Sequence, residues 1–496
     1  MPSPYQPLPQ LRRRRLGVIH LVFFTVAASA PLTALGGGVT TTFAVTGSTG
    51  VPLSFLLLAV VLALFAVGYA AMSRHVANAG AFYSYLAKGL GRTWGVAGAF
   101  VALVSYNAIQ IGLYGLFGAG FADFAEAGLG IALPWYVWAF AALLLVGLLG
   151  VLRVDLNARV LAVLLGLEVL TVLLYDIGAL GHPAAGSLSA AGFRPGELFA
   201  PGVGAVLALG IAAFIGFESG AIYSEECRNP RITVARATFV AVAFTGLFYA
   251  FSAWAMVQTV GEANLRPAAT ENGPGLVFGA VTEHWGPLVG DVANVLFLTS
   301  VFAALLSFHN GVARYLFALG REQVLPSALS RVGARSGGPL TGSLSQSVLA
   351  LVVLLGFVLS GTDPVLQLFA WCSGVSAVGV VLLMTGTSAA VVGYFRTHPR
   401  AATLWQRLVA PALATVLLLA LVLLLIANFD ALLGTDPTSP LRWILPGLVL
   451  LAAGAGAAWG AALRSRRPEV YRGIGNTAMA PEEEAPVALP SLPARS

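Results

Sequence analysis

The feature that most constrains this chain is a succession of unbroken apolar runs, each about twenty residues or longer, recurring from near residue 17 to near residue 462. A helix rises about 1.5 Å per residue, so such a run crosses a hydrocarbon core of about 30 Å. Within a bilayer every backbone N–H and C=O needs a partner inside the protein, which leaves helices or closed barrels. Barrel strands are about ten residues long and alternate in polarity, and the continuous runs here exclude them. Composition agrees: 58% of the 496 residues are hydrophobic and 10% charged, against about 25% charged in soluble domains. The expectation is an all-α polytopic membrane protein.

Windows of about twenty apolar residues give twelve predicted spans, near 17 to 45, 51 to 73, 93 to 121, 134 to 152, 158 to 181, 201 to 224, 236 to 259, 286 to 319, 341 to 360, 364 to 394, 409 to 428 and 440 to 462. If both termini share one side, all but three of the 27 Lys and Arg fall on that side, the exceptions being Arg194, Arg266 and Arg442. The positive-inside rule then puts the N- and C-termini in the cytoplasm, with the chain in the cell membrane. The same confinement accounts for the net charge of +6 through the anionic cytoplasmic leaflet, without nucleic acid as a partner. Residues 1–15 and 468–496 read as cytoplasmic tails without fixed structure, and 16–463 as the transmembrane domain. Ala28-Ser29-Ala30 has the form of a signal-peptidase site, but the apolar stretch continues to about Val45 and is expected to stay. Cys227 and Cys372 lie at different levels and imply no disulfide.

Two spans are irregular. Span 1 contains Ala30-Pro31-Leu32-Thr33 followed by Gly36-Gly37-Gly38, and span 6 contains Gly210 and then Phe214-Ile215-Gly216-Phe217-Glu218. Proline lacks a helix donor and glycine disfavours helix. These spans open two units of five, residues 16–181 and 200–395; an odd number of spans inverts the second unit relative to the first. The expected architecture is a 5+5 inverted repeat with helices 1 and 6 broken at a central site, plus two accessory helices over 409–463.

The motif Phe214-Ile215-Gly216-Phe217-Glu218, continued by Glu225-Glu226-Cys227-Arg228-Asn229-Pro230-Arg231, resembles the amino acid-polyamine-organocation superfamily of permeases. Asn78-Ala79-Gly80-Ala81-Phe82-Tyr83, Tyr106-Asn107, and Arg314 to Arg321 with Leu325-Pro326 fit as well. The resemblance implies a secondary active transporter of amino acids or related amines working by alternating access, coupled to protons or exchanging substrates. Sodium-coupled or facilitative amine transport, or a non-transporting sensor on the same fold, are the alternatives. It places substrate against Ser29, Ala30, Pro31, Leu32 and Thr33 of span 1, Ala213, Phe214, Ile215 and Gly216 of span 6, and Asn107 of span 3. One departure stands out: where the family carries a glycine-rich carboxylate cradle, this chain has Pro31-Leu32-Thr33, and Pro31 has no amide to donate.

Ionisable groups inside a bilayer default to function. Glu218, directly after the span 6 break, and Glu168 in span 5 are the candidates for proton coupling and gating. The resemblance implies a lysine near Leu165, and Glu168 lies about one turn from it on a similar face. Asp176, nearer the outer end of span 5, is expected to meet water. Ser307 is a possible ion site, a proton being favoured over sodium as the coupling ion. His309, beside Asn310, reads as a hydrogen-bonded structural residue rather than a group titrating near neutral pH, and Asn107 and Gln110 share a face of span 3. No Walker loop, nucleophile elbow or His/Cys metal spacing is present, so no enzyme, metal or cofactor is expected.

Overall fold

The structure, a computed structural model, describes residues 17–76, 82–152, 158–217, 230–333, 336–434 and 438–475. Among them every regular element is helical. Ten helices are long and apolar enough to cross a membrane: Val51–Ser73, Arg92–Leu129, Trp135–Leu152, Ala162–Gly181, Thr233–Val260, Pro287–Arg321, Leu340–Leu359, Pro364–Thr397, Trp405–Ala427 and Leu441–Arg466. These match predicted spans 2 to 5 and 7 to 12. Predicted spans 1 and 6 are the two that do not form one long α-helix.

Burial separates centre from periphery. The apolar windows of spans 3 and 10 are 78% buried, whereas those of spans 4, 9 and 12 are 28% buried. Small residues permit the central contacts: a Cβ on Gly115 of span 3 would lie 2.5 Å from the Pro364 carbonyl oxygen at the start of span 10. On these outer helices Leu144, Val352 and Leu451 are largely exposed. Such a surface is an aggregation liability in water and costs nothing against lipid tails.

Span 1 packs on spans 5, 7 and 8, and the helical part of span 6 packs on spans 2 and 10, so both interrupted spans sit inside the bundle. One expectation about the tail changes. Residues Pro468–Gly473 form a short helix, with Val470 and Ile474 buried. Tyr471 hydrogen-bonds Thr93 at 3.0 Å, and the Gly475 amide donates to Glu322 Oε2 at 3.0 Å. Two apolar side chains at helical spacing and a charge-assisted bond give this segment a docking face that its proline- and glutamate-rich surroundings conceal. Residues 476–496, like residues 1–16, lie outside the described set.

Candidate functional site

Span 1 breaks at Ala30, whose backbone lies in the left-handed region (φ 45°, ψ 79°). Helix Val18–Ser29 precedes it, and Pro31–Thr33, the π-helical Ala34–Val39 and Thr40–Thr46 follow as one continuous helical run. The glycines therefore do not interrupt the helix. Gly37 instead allows close contact with Leu116, whose side chain would meet a Cβ at 2.6 Å. A left-handed non-glycine residue costs about 1–2 kcal/mol, so the surroundings must hold it. Pro31 stands at the first position of the second half, where an N–H would lack an intrahelical partner anyway. Its missing donor is thus no loss at this position.

The groups freed by the break are met from other helices. The Leu32 amide donates to Glu168 Oε2 at 3.4 Å, and the same oxygen accepts from Ser300 Oγ of span 8 at 2.7 Å. Thr33 Oγ1 donates to Ser300 Oγ at 3.0 Å. On the other side, the Tyr249 hydroxyl of span 7 donates to the Ser29 carbonyl at 3.1 Å. Glu168 is 6% exposed and ties spans 5 and 8 to the start of the second half-helix, where the helix dipole favours negative charge. A protein carboxylate thus holds an amide that the resemblance assigns to substrate.

Span 6 leaves the α-helix after Ala212. Single-turn bonds from the Phe214, Ile215 and Phe217 amides to the Ile211, Ala212 and Phe214 carbonyls carry the chain on, and Gly216 takes a positive φ of 113°. Glu218 lies outside the described residues. Between the two interruptions is a cavity of about 40 Å³, room for a few waters. Ser29, Ala30 and Thr33 line it from span 1, Ala213 and Ile215 from span 6, and Ile109 and Leu113 from span 3. Ala304 and Phe308 of span 8 and Phe369 and Ser373 of span 10 close it. Among the described residues its lining holds no charged side chain. Ser29 Oγ and Thr33 Oγ1 are already bonded to Val26 O and Ser300, whereas Ser373 Oγ, fully buried, has no partner.

The other expected residues fall elsewhere. Pro31, Leu32, Phe214 and Gly216 support the walls without lining the cavity; Phe214 is buried against Phe55 with ring centroids 6.1 Å apart. Asn107 donates to Leu103 O at 2.7 Å and stands outside the lining. Ser307 is half-buried, seven residues beyond the Ser300 that reaches the break. His309 is fully buried and bonds Ser343 at 2.7 Å and Gln110 at 3.5 Å, as its structural reading anticipated, while Gln346 donates to Gln110. Asp176 does not meet water: it is 1% exposed and accepts from Ser252 Oγ at 2.9 Å. Span 7 and helix Gly275–Trp285, with His284 against Gly178, pack over this end of span 5, a contact that hydropathy along one helix does not reveal. Ser300 and Ser373 were missed because a serine hydroxyl in an apolar helix usually bonds its own preceding turn, and Tyr249 because an aromatic ring in a span reads as packing.

The fold and the cavity between two interrupted helices define a class, a polytopic helical membrane protein with an internal site at its broken spans. The sequence matches the amino acid permease family over residues 20–465, and the chain belongs to that family, whose members are transporters and not enzymes. It is 24% identical over 374 residues to the branched-chain amino acid permease BcaP of Bacillus subtilis (strain 168), covering 69% of this chain and 76% of that protein. It is 26% identical over 333 residues to BcaP of Lactococcus lactis subsp. cremoris, covering 61% and 68%. The cationic amino acid transporter 4 of mouse is 26% identical over 320 residues, 61% of this chain and 49% of that protein.

Proposed function

We propose that this permease is a secondary active transporter of small apolar amino acids of the branched-chain class, working by alternating access and coupled to protons through Glu168. The observation that carries the reading is the apolar cavity at the break of span 1 with a carboxylate tethering that break. Aliphatic walls of Ile109, Leu113, Leu209 and Ile215 suit an aliphatic side chain, as in the branched-chain permeases named above. A cationic substrate needs a carboxylate facing it, and the described lining offers none. The two interrupted segments added to the ten long helices make twelve spans, read as the 5+5 inverted repeat with spans 11 and 12 accessory and both termini cytoplasmic.

Glu168 offers a physical route to coupling. As a carboxylate it only accepts, and one oxygen takes both Leu32 N–H and Ser300 O–H. Protonation adds a donor and weakens its acceptors, which loosens the tie between spans 5 and 8 and the second half of span 1. Ser373 Oγ is the free hydroxyl for the substrate's polar end, and Glu218 is proposed as a second gating group at the span 6 break. The test is uptake by the purified protein in proteoliposomes under an acid-outside gradient. Leucine, isoleucine and valine accumulate while arginine and putrescine do not. Accumulation of arginine in place of leucine overturns the substrate class, sodium dependence without pH dependence overturns the coupling, and binding without accumulation or exchange identifies a sensor.

A further inference from the structure

A second buried carboxyl lies on the helix that carries Glu168. Asp176 is eight residues further along span 5, about 12 Å at 1.5 Å per residue, toward the end read as external. Its Oδ2 accepts from Ser252 Oγ at 2.9 Å. Its Oδ1 is buried with no hydrogen-bond partner, and so is the hydroxyl of the adjacent Tyr175. An oxygen of a carboxylate left bare inside a membrane is costly and marks ion or proton pathways. A metal cation needs a shell of several oxygens, and Asp176 has one bonded oxygen, that of Ser252. A proton needs only the bare oxygen itself.

Groups able to carry a proton stand on either side. Outward, His182 of the exposed end of span 5 and His284 of helix Gly275–Trp285 lie with ring centroids 4.6 Å apart. His284 rests against Gly178, with Cγ 3.0 Å from where a Cβ would stand. Inward, Ser252 is three residues from Tyr249 on span 7, and Tyr249 bonds the Ser29 carbonyl at the break. Of the other charged groups described on helices packed against span 5, Glu283, Asp291 and Arg236 are exposed, and Arg314, which is buried, and Arg321 lie at the far end of span 8. The described side chains of Val18–Ser29 and Pro31–Thr33 carry no charge.

We propose that Asp176 is a proton-carrying carboxyl between the outer His182–His284 pair and Glu168. A proton from the outer side binds Asp176 Oδ1 and moves on to Glu168 when the Ser252 hydroxyl turns from Oδ2 and the Tyr249 hydroxyl from the Ser29 carbonyl, each hydroxyl passing on its own proton and taking the one behind it. This inference rests on the proton-coupled reading of Glu168.

The experiment uses the full chain in proteoliposomes holding a pH-sensitive dye, with labelled leucine as the probe. In Asp176→Asn, gradient-driven uptake and leucine-linked proton influx fall at least about 100-fold, the low side of what a positioned proton-transfer group contributes. Leucine exchange at equal pH falls much less, and Asp176→Glu restores the driven rate. Undiminished driven uptake in Asp176→Asn overturns the relay alone. Equal loss of driven uptake and exchange, without rescue by glutamate, also overturns it, because it indicates a structural role. A wild-type protein indifferent to the pH gradient overturns the coupling itself and the relay with it. Should Asp176→Asn fail to reconstitute, Ser252→Ala keeps the carboxyl and removes the next hydroxyl of the relay; slower driven uptake with leucine exchange retained supports the relay, and undiminished driven uptake overturns it.

Discussion

Replacing Glu168 by glutamine and, separately, by leucine divides what the residue does for the fold from the coupling role proposed for it. Glutamine keeps a carbonyl oxygen in the position of Oε2, so Leu32 N–H and Ser300 O–H retain an acceptor. Leucine is similar in size and accepts nothing. Ser300 can turn its hydroxyl to the preceding turn of its own helix. The Leu32 amide has no such choice, because it belongs to the first turn after the break and has no intrahelical acceptor. Leaving it bare costs about 1–3 kcal/mol, or roughly 5- to 150-fold in the folding equilibrium. Denaturant unfolding of the detergent-solubilised protein should therefore place glutamine near wild type and leucine lower by that amount, with unchanged slopes. Both variants should lose proton-driven uptake, since neither side chain binds a proton. Equal stability of the two would refute the reasoning, as the bond to Leu32 would then contribute nothing to holding the break.

Three further outcomes follow from the packing. Ser373→Ala should raise KM for leucine with little change in folding, because the hydroxyl it removes bonds no other group of the protein; transport kinetics check this. Ala304→Phe fills the cavity from span 8 and should suppress leucine uptake more strongly than alanine uptake in competition assays. Gly89→Ala places a Cβ 2.0 Å from the Ala390 carbonyl oxygen, a backbone atom that cannot swing aside. It should cost about 1–3 kcal/mol as an overpacked contact, whereas Gly166→Ala, with open space around it, should be neutral in the same unfolding assay.

Much of the architecture could be read along the chain, because a membrane span is a local property: twenty apolar residues state their role without knowing their neighbours. The ten long helices fall where hydropathy puts them, and the two irregular segments are those marked by Pro31 and Gly216. The contacts of the break were less legible. Glu168 stood out as a charge in lipid, but Leu32 and Ser300, its partners, lie far from it in sequence and are ordinary residue types. Asp176 was misjudged for the related reason that nearness to a helix end says nothing of what packs over it. The Gly36-Gly37-Gly38 run misled in the opposite direction, since glycine in a membrane helix serves close approach as readily as a break. Nothing in residue type alone separates these uses.

The tethers on the two sides of Ala30 come from different helices: span 7 grips the carbonyl of Ser29 before it, and span 5 grips the amide of Leu32 after it. The joint in span 1 is thus held like a wrist between two hands. A shift of span 5 against span 7 would pull on the two halves of span 1 separately. The angle at the cavity wall is then governed by two remote packing partners, and variants at their shared interface should change transport rates while leaving every residue around the substrate in place.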